Sequence, residues 1–210
     1  MTHARLATFT ALGALIVALI ASPTSESQAL TVEGGTTEQQ MLAAQVLDRF
    51  AMAGLELPPI AIEFVGPSLE ACGGARARAH LDWDPITVSV CWGDEFVLLH
   101  ELAHVWTFGA VTEKQEVVFM GLRANVHAWA DPADRWADQG REHAANVVAW
   151  GLMEDPQVVG RTYPNDRASL VEAFTVLTKT QPLHAEGGGP VLVDRTAFTV
   201  VESRPMVSGR

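Results

Sequence analysis

His100, Glu101 and His104 stand in the order His-Glu-x-x-His within a chain of 210 residues. On an α-helix the i, i+4 spacing stacks the two imidazoles on one face, one turn apart, where two neutral ring nitrogens can hold the same tetrahedral Zn²⁺ ion. Glu101 lies about 100° round the helix from His100, so its carboxylate can reach a water at the open position of the ion without binding the ion itself. The pattern is suited to hydrolysis, in which the ion polarises a carbonyl and the carboxylate takes up the proton of the attacking water. With seven His in the chain, such a string arises by chance in about one or two chains in a hundred of this composition.

The flanking residues place the motif on a helix. Asp94 is a helix N-cap, Glu95 an acidic first turn, and Phe96-Val97-Leu98-Leu99 an apolar run leading into the motif. Leu98, Leu99, Leu102, Val105 and Trp106 can face a core while His100, Glu101 and His104 share another face. Burying two His and a Glu is costly without a ligand or hydrogen bonds to compensate. Upstream, residues 37–53 carry helical periodicity through Met41, Leu42, Val46, Leu47 and Phe50, and Pro58-Pro59 stops that helix. Residues 60–65 and 86–91 read as strands, with a Gly- and Ala-rich loop from Gly66 to Ala79 between them. Downstream, helices are predicted at 114–128, 132–138, 140–151 and 166–178, and residues 191–193 and 197–201 as a terminal hairpin or edge strand.

A catalytic zinc site keeps three protein ligands and an open position, so the third ligand lies elsewhere in the chain. The motif and the strand-then-helix order resemble the zincin-type zinc metallopeptidases, and the core is similar to small secreted zincin-like proteins. The metzincin extension HExxHxxGxxH does not apply, because Thr107 and Ala110 stand where its Gly and last His belong. The stretch Gly140-Arg141-Glu142-His143-Ala144-Ala145-Asn146 resembles the second helix of the gluzincins, where a Glu completes the site and an acidic residue four positions on orients a ligand His. The resemblance assigns the ligand role to Glu142 and the orienting role to Asn146, with Asn in place of Asp. A fainter resemblance of Gly151-Leu152-Met153-Glu154-Asp155 to an aspzincin element offers Asp155 instead, and Glu154, His143 and Glu172 stay open as well. For a hydrogen-bond donor to the developing oxyanion, His143, Tyr163 and His184 are the candidates.

The bulk of the sequence bounds the setting. Residues 1–29 combine Arg5, an apolar run from Ala7 to Ala21 and a polar stretch ending at Ala29, which reads as a cleaved secretory signal peptide, an uncleaved anchor being the alternative. Residues 30–210 then form a single domain with no further membrane span. Their formal net charge stays at -11, since the leader takes away Arg5 and Glu26, one charge of each sign. Such a surface repels a phosphate backbone and disfavours nucleic acid as a partner. Cys72 and Cys91 are the only two cysteines, and in an exported chain a lone pair reads as a disulfide. The expectation is a secreted α+β zincin-like domain, with a small twisted sheet packed on the HExxH helix and a mainly helical C-terminal half. His100, His104 and Glu142 would hold zinc, Glu101 would be the general base, and a peptide or protein the substrate. A catalytically inactive zincin fold, serving as a binding or structural module of the cell envelope, is the alternative.

Overall fold

The computed structural model describes residues 30–66, 70, 72–156 and 164–185. The leader segment 1–29, Tyr163 and the tail strands at 191–193 and 197–201 lie outside the described residues. Within them the chain is α+β, with a four-stranded mixed sheet and five α-helices. The order along the chain is β1 (Thr31–Gly34), α1 (Thr37–Met52), β2 (Ile60–Phe64), β3 (Ala77–His80), β4 (Ile86–Val90), α2 (Glu95–Ala110), α3 (Glu113–Gly121), α4 (Gly140–Leu152) and α5 (Arg167–Thr178). A short 3₁₀ turn, Trp136–Asp138, precedes α4. No helix among the described residues is long and apolar enough to cross a membrane.

The sheet runs β1-β2-β4-β3, with β1, β2 and β4 parallel and β3 antiparallel at the edge. The central strands carry β-branched and apolar residues on both faces, and Ile60, Ile62, Val88 and Val90 are buried. Two strands were not expected from the sequence. β1 lies in a polar stretch, and β3 falls in the Gly- and Ala-rich segment read as a loop, because Ala77-Arg78-Ala79-His80 has little intrinsic strand preference. Its pairing with β4, Ala77 to Val90 and Ala79 to Val88, makes it a strand. The Cys72–Cys91 disulfide is present, with the two Cα atoms 6.2 Å apart, and ties the loop before β3 to the end of β4.

The helices follow their caps. Thr36 and Thr112 form capping boxes with Gln39 and Gln115, and the Asp94 carboxylate accepts from the Val97 amide at the start of α2. The helix expected at 114–128 stops at Gly121, and that expected at 132–138 shrinks to the 3₁₀ turn. Pro132 and the Asn125 left-handed turn break the regular backbone there. Helix α4 is buried at every position except Arg141, which makes it the central helix of the C-terminal half, packed on α2, α3 and α5. Arg49 of α1 pairs with Glu95 at 2.9 Å and with Glu154 at 3.3 Å, linking α1 to the start of α2 and to the chain just past α4.

The α4 to α5 contact depends on a missing side chain. A Cβ at Gly151 would lie 2.1 Å from Cδ2 of Phe174, a fully buried ring. Gly151→Ala should therefore destabilise the domain by about 1–3 kcal/mol through overpacking. Gly109→Ala is the matched helical control, with nothing within 4 Å of its Cβ, and should be neutral or stabilising. Thermal unfolding of the two variants beside the parent checks the contrast, and equal melting temperatures would contradict this packing.

Candidate metal centre

The motif lies in the middle of α2, on a helix whose apolar residues contact α4 and the sheet. Leu98, Leu99, Leu102, Ala103 and Val105 have no exposed surface beyond a trace, so the helix cannot rotate without exposing them. That burial fixes the direction in which His100 and His104 point. Facing them, α4 contributes Glu142 from its first turn and Asn146 one turn later.

His100, His104 and Glu142 come together as one group, their ligating atoms all within 4.8 Å of one another. The two His Nε2 atoms are 3.1 Å apart. Glu142 Oε2 lies 3.1 Å from His104 Nε2 and 3.3 Å from His100 Nε2. Three donors bonded at about 2.0–2.1 Å in a tetrahedral site are spaced about 3.3–3.4 Å apart, so this triangle already has nearly the edge lengths a divalent ion needs. Two nitrogens and one carboxylate oxygen form a donor set of the right chemistry for such an ion.

The charge state of the group agrees with its geometry. Burial alone would push the Glu142 carboxyl up, but the imidazoles of His100 and His104 more than offset this and hold it well below the usual carboxylate range. The buried carboxylate is thus ionised. His100 Nδ1–H donates to Asn146 Oδ1 at 3.0 Å, so Nε2 is the ring nitrogen turned toward Glu142 and His104. The contact involves the residue to which the resemblance gives an orienting role, a neutral amide at a buried position.

Glu101 lines the same cleft of about 580 Å³, together with His100, His104, Glu142 and Asn146. Its Oε2 accepts from the Ala79 amide at 2.9 Å, so the edge strand β3 holds the carboxylate in place. This contact could not be read from the sequence, since β3 itself was not legible. Phe96, Leu81 and Trp136 form apolar parts of the cleft wall. The Trp136 ring lies 6.0 Å from that of His100.

The remaining candidates do not join the group. Asp155 and Glu172 are exposed, and Glu154 pairs with Arg49. His143, also considered as an oxyanion donor, is 1 % exposed, and its Nε2–H donates to the Ala137 carbonyl at 2.8 Å. It braces the 3₁₀ turn that carries Trp136 and does not face the cleft. His184 packs edge-on against Trp150 and contacts the Met153 carbonyl. Three charged cleft residues carried no signal in the sequence, namely Arg76, Arg78 and Arg141. Arginines carry no spacing signal of their own, and only the neighbour relation of Arg141 to Glu142 hinted at it.

No protein-family model, curated protein or solved structure matches this chain. The site therefore rests on its own geometry.

Glu142→Ala should abolish most divalent-metal binding, because it removes a bond and the compensating charge, whereas Asp155→Ala should bind like the parent. Asn146→Ala should weaken binding by about 10- to 100-fold through loss of His100 orientation. Titration of the three variants with zinc against a competing chelator ranks them, and a large defect in Asp155→Ala alone would refute the ligand set.

Proposed function

We propose that this chain is an extracytoplasmic zinc-dependent peptidase in which His100, His104 and Glu142 hold the ion and Glu101 is the general base. The observation that carries the reading is the convergence of the three donors, at 3.1–3.3 Å, in one cleft with a second carboxylate, that of Glu101. The ion, when bound, lowers the pKa of a water toward neutrality and polarises a peptide carbonyl. The chain's own residues account for the rest. Asn146 keeps His100 in the tautomer that can ligate, and Glu142 neutralises part of the ion's charge. Glu101 takes one proton from the attacking water as its oxygen bonds to the carbonyl carbon, then delivers that proton to the nitrogen as the C–N bond breaks. The Ala79 amide, bound to one carboxylate oxygen, leaves the other available for this proton. Zinc is favoured over harder ions by the two imidazoles. Export is supported by the disulfide and by the leader-like N-terminal sequence.

The contact between Glu101 and Ala79 also favours a second reading, in which Glu101 is a strut between α2 and β3 and the domain is a metal-holding binding module. Glu101→Gln separates the two. The amide oxygen can still accept from the Ala79 N–H, so the strut survives, but it cannot take up the water's proton. The purified protein should carry close to one zinc per chain, and the Gln variant should keep that zinc. Hydrolysis of a broad peptide library, read by mass spectrometry, should fall by at least about 100-fold in the variant. Cleavage at the parent rate by the variant would refute the general base. A zinc-loaded parent that cleaves no peptide would favour the binding module.

A further inference from the structure

The cleft carries a charge pattern opposite to that of the chain. The sequence has a formal net charge of -11, yet the charged residues lining the cleft are Arg76, Arg78 and Arg141 against Glu101 and Glu142. The two carboxylates are already engaged. Glu142 faces the imidazole pair, and Glu101 accepts from the Ala79 amide. Arg76 is spent as well, on Asp94 at 2.9 Å. Arg78 and the terminal NH₂ groups of Arg141 are left with donors to offer.

Neither is fully committed: Arg78 has no ion pair among the described residues, and Arg141 reaches Glu142 through Nε alone. The Arg78 Nη1 lies against the loop before β3, where a Cβ at Gly73 would sit only 2.8 Å away, and Gly73 has a positive φ of 58°. A glycine there gives the guanidinium room to lie on the backbone, and no carboxylate among the described residues pairs with it. Arg141 Nε–H donates to Gln139 Oε1 at 2.9 Å. Gln139 is itself buried, and its Nε2 donates to the Asp131 and Asp134 carbonyls at 3.1 and 3.2 Å. Arg141 also pairs with Glu142, whose Oε1 lies 3.3 Å from the same Nε. The two terminal NH₂ groups of Arg141 have no hydrogen bond or ion pair among the described residues. Its side chain keeps 46 % of its surface exposed. Charged forks with open donors suit carboxylate recognition, and an Arg to carboxylate contact is roughly twice as strong as a neutral hydrogen bond. The acidic surface does not cancel the effect, since charges more than about 8 Å apart in solvent are screened at physiological salt.

We propose that Arg78, from the edge strand, and Arg141, from the first turn of α4, select peptides that carry a carboxylate close to the bond presented to the metal centre. The inference rests on the peptidase reading and names its substrate class as acidic peptides. An acidic side chain and a free C-terminus supply the same group, and the test distinguishes them.

The experiment measures binding, not turnover. Zinc-loaded Glu101→Gln protein is titrated with three fluorescent peptides of equal length. One is rich in Glu with an amidated C-terminus, one has Gln in place of Glu with a free C-terminus, and one has Gln with an amidated C-terminus. At least one carboxylate peptide should bind about tenfold or more tightly than the neutral one, and the one that does names the source of the group. Adding Arg78→Gln should erase most of that difference, as should 0.5 M salt, about the strength at which screening shortens to a few ångströms. Adding Arg141→Gln should do the same with zinc content checked, because that residue touches Glu142. Zinc is measured on each sample. A zinc-loaded protein that binds all three peptides equally, or none, overturns the arginine assignment and leaves the metal centre standing. A protein that takes up no zinc overturns both.

Discussion

A negative charge buried between two helices is the constraint around which the C-terminal half is organised. Glu142 is 4 % exposed, and a buried carboxylate left unpaired costs about 3–5 kcal/mol. The imidazoles of His100 and His104 compensate it, and only if α2 and α4 pack at one register. That register is enforced by apolar burial on both helices. Leu98, Leu102 and Val105 on α2 and Ala145, Val148 and Ala149 on α4 leave no alternative face for either helix to present. The polar group is thus positioned by hydrophobic packing that does not touch the chemistry.

The sheet serves the centre from the other side. Its antiparallel edge strand β3 offers the Ala79 amide to Glu101, and the Cys72–Cys91 bridge holds the loop before that strand to the end of β4. In a disulfide-closed segment of this kind the stabilisation falls mainly on the unfolded chain. Here it also fixes a wall of the cleft, since Cys72, Gly73 and Ala75 line it. The 3₁₀ turn of Trp136 forms another part of the wall, braced from inside by His143 through the Ala137 carbonyl. A histidine one residue from a metal-ligand candidate is therefore a support for the rim.

The electrostatics are arranged on two scales. Over the whole chain, acidic residues outnumber basic ones by 25 to 14, which favours solubility and repels polyanions such as nucleic acid. Within the cleft the balance reverses, because three arginines line it against two carboxylates, and Arg78 and the terminal NH₂ groups of Arg141 have no carboxylate partner among the described residues. A net charge read from composition says little about a cleft when the screening length is about the size of the cleft.

Local patterns made part of this protein legible without coordinates. Spacing alone places His100 and His104 on one helical face, because the helix repeat is set by the backbone and not by context. The Asp94 cap follows from a side-chain to backbone bond between near neighbours, and the lone cysteine pair left one partner for each sulfur. The roles proposed for Glu142 and Asn146 needed a resemblance, since no rule of spacing joins residues about 40 apart in the chain. Their meeting with the histidines was decided by the packing of α2 on α4. Strand β3, the tie from Ala79 to Glu101, the inward turn of His143 and the arginines at the cleft were set by tertiary structure alone. Each depends on which segments become neighbours in space, and Ala77-Arg78-Ala79-His80 becomes a strand because β4 presents an open edge to it.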